Sequence, residues 1–314
     1  MLTGLSLPHI ALLLVAGIAL DWLLGETRRW HPLVGFGRLA ASIERRLNRG
    51  RALLARGALA WVLAVLPLSL LAAFVVDLAG LWLHAVLLYF CIGLRSLRDH
   101  TLPIHAALLD GDLTQARALT ARIVSRDTAS AGEADLAKAS AESLLENGND
   151  AVFGTLFWFV LLGGPGAVMF RLANTLDAMW GYRNTRFNLF GRSAARIDDA
   201  LNFVPARLTA LSYVLLAGAG RARAWHCWRT QAGAWSSPNA GPVMASGAGA
   251  LGVSLGGAAV YDGEVEQRPP LGAGPAAHAG DILRAWRLVL RTALLWAALI
   301  CAAAMLATLG AVDA

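Results

Sequence analysis

Long apolar segments alternate with polar, arginine-rich segments along the whole chain. An apolar segment predicts a membrane span when it approaches the ~20 residues that a helix needs to cross a bilayer. The predicted spans lie near residues 5–24, 57–76, 79–94, 151–170, 205–220 and 289–312. The polar loops cover residues 25–56, 95–150, 171–207 and 221–288. The pattern predicts an all-α, polytopic transmembrane bundle of about four to six spans with helical cytoplasmic loops, forming one integral membrane domain.

The apolar segment 151–170 is interrupted at its centre by the sequence Gly163-Gly164-Pro165-Gly166. A full crossing here would place the six arginines of residues 171–207 outside the cell, against the positive-inside trend. A broken or re-entrant segment keeps these arginines in the cytoplasm, provided that its non-helical backbone is buried in protein. We therefore predict that this segment is broken.

The distribution of arginine also predicts the orientation. Residues 25–56 contain eight arginines and two acidic residues, which is typical of a cytoplasmic loop and predicts an N-terminus outside. No Lys or Arg precedes the first apolar segment, so we interpret it as a retained span and not a cleavable signal. The expected location is the bacterial inner membrane, with the active loops facing the cytoplasm.

Composition supports a membrane protein and argues against a soluble two-domain enzyme. The chain is 57% hydrophobic and 15% charged, with a mean hydropathy of +0.54. Its net charge of +6 indicates contact with anionic membrane lipid, and nucleic acid is not an expected partner. The three cysteines have neither metal-ligand spacing nor an evident disulfide pairing.

A first candidate site lies before the 151–170 segment. Ser130-x-x-Glu133 is a capping-box pattern that predicts a helix to about Asn147. Asp135, Lys138, Glu142 and Glu146 then form one stripe of that helix. Such a stripe is often a solvated, ion-paired face, but carboxylates and amides at the edge of an apolar segment also suit Mg²⁺ and a phosphate. We favour the second interpretation.

A second candidate site lies in residues 171–207. Asp198 and Asp199 precede Asn202 at helical spacing, and acids with Asn can bind a metal and a substrate hydroxyl together. The interleaved arginines would neutralise phosphates, although a basic loop can also bind lipid headgroups. His31 could act as an acid or base, but a structural role is the more common one for a single His. Residues 262–280, rich in Gly and Pro, predict a mobile loop.

A series of polar motifs follows a fixed order along roughly residues 18–262. The motifs are Asp21-Trp-Leu-Leu-Gly25, His31-Pro-Leu-Val-Gly-Phe-Gly-Arg38, Ser125-Arg-Asp-Thr128, Glu142-Ser…Glu146-Asn147, Leu156-Phe-Trp158, Asn174-Thr-Leu-Asp177, Gly181-Tyr-Arg-Asn184, Ala195-Arg-Ile-Asp-Asp199, Asn202-Phe-Val-Pro-Ala-Arg207 and Ser237-Pro-Asn-Ala-Gly241. In this order they resemble the adenosylcobinamide-phosphate synthase family of cobalamin biosynthesis. The chain departs from the family pattern at Glu26-Thr27, Asp150-Ala151 and Trp235-Ser236. The last departure puts in doubt any role for a basic side chain before Ser237.

The resemblance implies the chemistry. The family joins aminopropanol, typically as its O-phosphate, to the propionate carboxylate of adenosylcobyric acid, and ATP is consumed. A carboxylate is a poor acyl donor, so the expected route is an acyl phosphate that the amine attacks. This reaction needs Mg²⁺ ligands, cations that bind phosphates, and a base.

The site residues expected from these motifs fall into two groups. The metal ligands and catalytic residues are Glu142, Glu146, Asp198 and Asp199. The residues that bind substrate or phosphate are His31, Arg126, Asp127, Lys138, Asn174, Asp177, Arg183, Asn184, Arg196, Asn202, Arg207, Ser237 and Asn239. The expected partners are adenosylcobyric acid, aminopropanol phosphate, ATP and membrane lipid, with other late enzymes of the pathway as further candidates.

The alternative is a non-enzymatic membrane protein, either a corrinoid transporter or a scaffold for the late enzymes of the pathway. Intramembrane acids such as Asp21 and Asp77 would suit a transport path. The concentration of charge in the loops and the lack of an evident inverted repeat favour the enzyme.

Overall fold

The computed structural model describes residues 4–27, 29, 31–261 and 263–312, with side chains described up to residue 310. The protein is 75% helical, and the described residues contain one small antiparallel sheet of two strands. Within this described part of the chain, four helical segments are long and apolar enough to cross a membrane. The predicted all-α, polytopic membrane architecture is therefore confirmed, with the sheet as an addition.

The described residues form twelve α-helices and two strands. In order they are α1 (Leu7–Leu24), α2 (Pro32–Leu47), α3 (Leu53–Ala79), α4 (Leu83–Cys91), α5 (Leu94–Leu109), α6 (Leu113–Thr120), α7 (Glu133–Gly148), α8 (Gly154–Trp180), α9 (Arg192–Leu216), α10 (Arg221–Gln231), α11 (Ala240–Leu251), β1 (Ser254–Tyr261), β2 (Glu264–Gly272) and α12 (Ala279–Val312). A π-helical turn, Asn149–Phe153, joins α7 to α8.

The four apolar segments agree only in part with the six predicted spans. They are Leu7–Leu24, Leu53–Ala79, Glu133–Trp180 and Ala279–Gly310. The predicted span over 79–94 is replaced by α4, which has nine residues and a rise of about 13.5 Å, less than half of the ~30 Å hydrocarbon core. Helix α9, which covers most of the predicted span 205–220, is not among the four.

Helix α8 is broken where the sequence predicts a break. Gly163 has φ 65° and ψ −155°, a conformation that is essentially restricted to glycine. A Cβ added to Gly154 would overlap the ring of Phe170, although 16 residues of continuous helix would separate these positions by about 24 Å. The chain therefore reverses at Gly163 and forms a helical hairpin.

A buried histidine stabilises this break. The Nδ1 atom of His84, in α4, accepts a hydrogen bond of 2.9 Å from the backbone N–H of Gly164. This N–H belongs to the first turn of the second arm, where it has no partner within the helix. His84 is 6% exposed, so the hydrogen bond satisfies a donor that water does not reach.

The chain divides into two compact units. The first comprises residues 1–93, 150–202 and 297–314. One hydrophobic core of this unit lies among α2, α3, α8 and the start of α9 and is formed by Phe36, Ala40, Ala60, Ala64, Val65, Leu172, Leu176, Trp180, Phe190 and Ala194. The alanines follow Gly57 along one face of α3, and a Cβ on Gly57 would overlap the carbonyl oxygen of Phe190. Small residues thus permit close packing, as is common in membrane helices.

The second unit comprises residues 94–149 and 203–296. Helix α7 contacts α5, α6, α11 and strand β1. The predicted mobile loop over 262–280 is wrong in its first part, because β2 continues to Gly272 and pairs with β1. The predicted capping box is also wrong: the N-cap of α7 is Gly132, and no side chain caps the helix. Its end at Gly148 agrees with the prediction to within a residue.

Candidate functional site

The second unit contains a buried carboxylate between two arginines. Glu142, on α7, is 2% exposed, and its Oε2 atom accepts a short hydrogen bond from Arg126 Nη2. Arg268 Nη1 donates to the same oxygen at 3.0 Å, and Arg268 Nη2 donates to Oε1 at 3.2 Å. The side chains of Arg126 and Arg268 are 12% and 9% exposed, so the three groups form a shielded cluster with a net charge of +1.

The β-hairpin completes the coordination of Glu142. The backbone N–H of Gly256 donates to Oε1 at 2.7 Å, from a bulge where the register shifts between Gly256 and Gly257. Opposite this bulge lies Pro269-Pro270, which has no N–H to donate to the ladder. Arg268 supplies donors instead, with Nε 3.2 Å from the carbonyl oxygen of Gly257.

The arginine cluster borders a cavity of about 390 Å³ within the second unit. Arg126, Arg268, Glu142 and Glu146 line it, with an aromatic wall of Trp235 and Tyr261. The Trp235 ring centre lies 5.4 Å from Arg268 Cζ, in cation–π geometry.

One atom of this cluster has no partner. Arg126 Nη1 is buried and makes no hydrogen bond. Leaving a buried donor unsatisfied costs about 1–3 kcal/mol, or more for a charged group. An anion that enters the cavity and accepts from this nitrogen would offset that cost.

Neighbouring predicted residues hold the hairpin against α7. Asp127 donates its backbone N–H to the Val260 carbonyl at 2.8 Å, and its Oδ2 atom accepts from the Gly263 N–H at 2.7 Å. Lys138 Nζ donates to the carbonyl oxygen of Ala258 at 3.0 Å. These contacts position the strand that carries Gly256.

Three further predicted residues meet in the second unit. Arg207 Nη1 donates to Asn239 Oδ1 at 2.7 Å, and Nη2 donates to the Pro238 carbonyl at 3.0 Å. Ser237 Oγ accepts from the backbone N–H groups of Asn239 and Ala240 at 3.3 and 3.1 Å. The Ser-Pro-Asn motif therefore forms a turn at the start of α11, held by Arg207.

In the first unit, a cluster of amides and carboxylates surrounds Asp198. Asn202 Nδ2 donates to Asp198 Oδ2 at 3.1 Å, and Asn174 Nδ2 donates to Oδ1 at 3.4 Å. Burial raises the pKa of Asp198 well above its usual range, and the nearby charges of Asp150 and Asp177 raise it further. The two amide hydrogen bonds oppose this rise but do not cancel it.

Asp199 and Arg171 extend this cluster. Burial raises the pKa of Asp199, while the charge of Arg183 lowers it. Arg171 Nη1 lies 3.4 Å from Asn174 Oδ1, and its buried Nε has no hydrogen-bond partner. Asp177 interacts electrostatically with Asp150 and Asp199. Arg196 is exposed.

Two other predicted residues of the first unit cap local structure. His31 Nδ1 accepts from the Leu33 N–H at 3.2 Å and caps α2. Burial lowers the pKa of His31; the charge of Glu26 opposes this effect and the charge of Arg171 adds to it, and the net lowering favours the neutral ring. Asn184 Oδ1 accepts from the backbone N–H groups of Arg186 and Phe187 at 3.1 and 3.0 Å.

The structure adds residues that the site prediction did not include. Arg268 and Trp235 contact the Glu142 cluster, whereas Asp150 and Arg171 belong to the Asp198 cluster. Arg268 was missed because residues 262–280 were interpreted as a loop, although Val265-Glu-Gln-Arg268 has a polar pattern that a strand can accommodate. Asp150 lies three residues after the Glu146-Asn147 motif, so the sequence signal for this residue is stronger.

The apolar helices and the two buried charged clusters define the class of protein: a multi-pass helical membrane protein with polar sites. Within this class, the chain belongs to the CobD/Cbib protein family, whose pattern it matches over residues 14–289.

Curated relatives support the same assignment. The chain is 57% identical over 285 residues to "Cobalamin biosynthesis protein CobD" of Stutzerimonas stutzeri, covering 89% of this chain and 93% of the relative. It is 54% identical over 313 residues to the protein of the same name from Chromobacterium violaceum, covering 97% and 99%. The Rhodobacter capsulatus protein of that name is 36% identical over 296 residues, covering 90% and 94%. No solved structure matches the chain.

Proposed function

We propose that this protein is a membrane-bound enzyme of cobalamin biosynthesis that forms an amide bond. It would join (R)-1-aminopropan-2-ol or its O-phosphate to the propionate carboxylate of adenosylcobyric acid, giving adenosylcobinamide or its phosphate. Family membership across residues 14–289, together with the names of the relatives, supports the pathway. The observation that carries the chemistry is the pair of charged clusters, one rich in carboxylates and the other in arginine.

The proposed reaction has two steps. The propionate carboxylate attacks the γ-phosphorus of ATP, and an acyl phosphate and ADP result. The amine nitrogen then attacks the acyl carbon, the phosphate leaves, and one proton is lost from nitrogen. The first step places two anions in contact, so cations that neutralise phosphate oxygens lower its barrier.

The carboxylate cluster of the first unit suits a Mg²⁺ ion with bound phosphate. Among the described residues, no group of three or more His, Cys, Asp or Glu side chains is arranged to hold a metal. Mg²⁺ in phosphate-transfer sites ordinarily uses one or two protein carboxylates, with waters and substrate oxygens completing its shell. Asp198, with Asp177 or Asp199, would hold the ion, which would neutralise phosphate charge when bound. The raised pKa of Asp198 fits a group that requires a cation in order to ionise.

The arginine cluster of the second unit suits a phosphate group of a substrate. Glu142 is already coordinated by two arginines and a backbone N–H, so we propose that it positions these arginines and does not bind metal. Asn174 and Asn202 would hold Asp198 in place, while Arg183 would contribute positive charge beside Asp199.

A direct assay tests the proposal. Detergent-purified protein would be incubated with adenosylcobyric acid, ATP, Mg²⁺ and aminopropanol phosphate, and the amide product and ADP would be quantified by mass spectrometry. We expect Asp198→Asn to lower turnover by at least about 100-fold, as is typical when a residue that stabilises transition-state charge is removed. Arg122→Gln, at an exposed position, is the matched control and should retain turnover.

Two results would overturn the enzyme assignment. One is the absence of ATP-dependent amide formation. The other is full complementation of a cobinamide-requiring strain by Asp198→Asn, which would favour the transporter or scaffold alternative.

A further inference from the structure

The cavity beside Glu142 has a charge pattern that selects for one type of ligand. Arg126 and Arg268 provide positive charge, and Glu146 provides a carboxylate on the same wall. Glu142, which binds the two arginines, and Glu146 are four residues apart on α7, so about one helical turn, roughly 6 Å, separates them. A ligand that matches this pattern carries an anionic group and a cationic group at a similar separation.

We infer that this cavity is the subsite for a small phosphorylated amine, with the phosphate on Arg126 and the ammonium on Glu146. The inference rests on the proposed function, since the only substrate of that reaction with this charge pattern is aminopropanol phosphate. Its phosphate and ammonium groups are joined through two carbons, which is a separation of the required size.

The cluster around Arg126 is built to receive an anion. Glu142 accepts from Nη2 of Arg126 and from both terminal nitrogens of Arg268, and this holds both guanidinium groups in place. Arg126 retains a buried Nη1 without a hydrogen-bond partner. The phosphate oxygens of a ligand provide the missing acceptor, and charge-assisted hydrogen bonds of this kind are among the stronger ones in proteins.

Size argues against the corrinoid as the occupant of this cavity, and charge argues against a nucleotide. At about 390 Å³, the cavity is at the small end of the range for ligand sites, roughly 300–1,000 Å³. A phosphorylated aminoalcohol fits within it, but a corrin ring with its side chains does not. A nucleotide is disfavoured because its phosphates would meet Glu146 and Glu266 without an ammonium group to offset them.

Isothermal titration of the detergent-purified full chain with three probes tests the inference. The probes are aminopropanol O-phosphate, propan-2-yl phosphate, which lacks the ammonium group, and aminopropanol, which lacks the phosphate. We expect the first to bind at least about tenfold more tightly than either of the others, since it alone uses both charges. ATP should not compete with it.

Substitutions at two positions, Glu146 and Arg126, separate the contributions of the two charges. Glu146→Gln should weaken the binding of aminopropanol phosphate by about tenfold and leave the binding of propan-2-yl phosphate unchanged. Arg126→Gln should weaken the binding of both phosphates. If this variant fails to fold, Arg126→Lys replaces it; the lysine keeps the charge beside Glu142, and an intermediate loss of affinity is expected. The exposed Arg122→Gln is the control and should bind all three probes normally.

The contrary outcomes are distinct from failure of the proposed function. Competition by ATP, an equal effect of Glu146→Gln on both phosphates, or no effect of either Arg126 variant would overturn the subsite. If the phosphoamine binds as expected but no amide is formed, the subsite stands and the ligase fails. If amide is formed but Glu146→Gln affects both phosphates equally, the ligase stands and the subsite fails.

Discussion

At the scale of single residues, Glu142 joins α7 to Arg126 and to both strands of the β-hairpin through hydrogen bonds. The sequence places it on a polar helical stripe, where an exposed ion pair is the usual outcome. Its carboxylate is instead buried and coordinated by Arg126, Arg268 and the Gly256 N–H. The residue is better described as the centre of an ion cluster than as part of a solvated face.

Neutralising Glu142 should therefore lower the free energy of unfolding. In Glu142→Gln, two shielded guanidinium groups lose their counter-charge, and loss of one member of a buried ion pair typically costs about 3–5 kcal/mol. The free energy of unfolding in mixed detergent micelles measures this change. Glu133→Gln, at an exposed position of the same helix, should alter it by no more than about 0.5 kcal/mol. An equal effect of the two substitutions would contradict the buried cluster.

Glu44 gives the first unit a predictable response to acid. Arg186 donates to both carboxylate oxygens of Glu44, at 3.1 and 2.7 Å. These hydrogen bonds lower the pKa of Glu44, against the opposing effect of burial, and Asn48 adds a further donor at 2.7 Å. Because the folded pKa is lowered, the stabilisation is present above the pKa of the unfolded chain and is lost as the pH falls through the folded pKa.

We expect Glu44→Gln to reduce the stability of the fold at neutral pH. The stability of the variant should also lack the acid-induced decrease that comes from protonation of Glu44. Thermal unfolding followed by circular dichroism from pH 7 to pH 3 checks both statements. The curves of the variant and the unmodified protein should converge at the acid end. A constant difference across the range would show that the Glu44 carboxylate does not ionise differently in the folded chain.

At the scale of elements, close packing of α3 depends on small residues. A Cβ on Gly57 would overlap the backbone carbonyl of Phe190, which cannot move as a side chain could. Gly57→Ala should destabilise the protein by about 1–3 kcal/mol, the usual cost of overpacking. Gly35→Ala, in the interior of α2 with no atom within 4 Å of the added Cβ, should be neutral or stabilising by up to about 1 kcal/mol. Unfolding of both variants in detergent compares them, and a loss of the same size in both would contradict this packing.

The broken α8 shows how far element-level prediction reaches. Gly163-Gly164-Pro165-Gly166 indicates a break because glycine permits a conformation closed to other residues and proline starts a new helix. The sequence does not indicate which group accepts a hydrogen bond from the backbone N–H that loses its helical partner at the break. That group is His84, 80 positions away in the chain, and only tertiary packing brings it to the Gly164 N–H.

The β-hairpin is the element that sequence patterns missed. Pro269-Pro270 and the surrounding glycines are typical of a loop, because proline cannot donate to a sheet ladder. The hairpin forms nevertheless, with a bulge opposite the prolines and with Arg268 donating to the Gly257 carbonyl. It packs against α11, which directly precedes it in the chain, and against α7, which lies far earlier in the chain.

At the scale of the whole molecule, the proposed orientation makes opposite predictions for the two ends of α3. With residues 25–56 in the cytoplasm, a cysteine at the exposed Arg45 should be protected from a membrane-impermeant maleimide in intact cells. A cysteine at Trp82, which is 60% exposed, should be labelled. The native Cys91, Cys227 and Cys301 would first be replaced by alanine. Labelling at Arg45 with protection at Trp82 would reverse the topology.

The sequence by itself determined the membrane class, the break at Gly163 and the family. These features follow from local patterns: the length of apolar segments, glycine with proline, and ordered motifs. The tertiary structure decided which charges meet. The Arg126–Glu142–Arg268 cluster joins residues up to 142 positions apart, and the amides around Asp198 come from two helices. The free energy of a buried charge depends on the groups that surround it. Where these groups are distant in the chain, only tertiary packing determines which of them are neighbours.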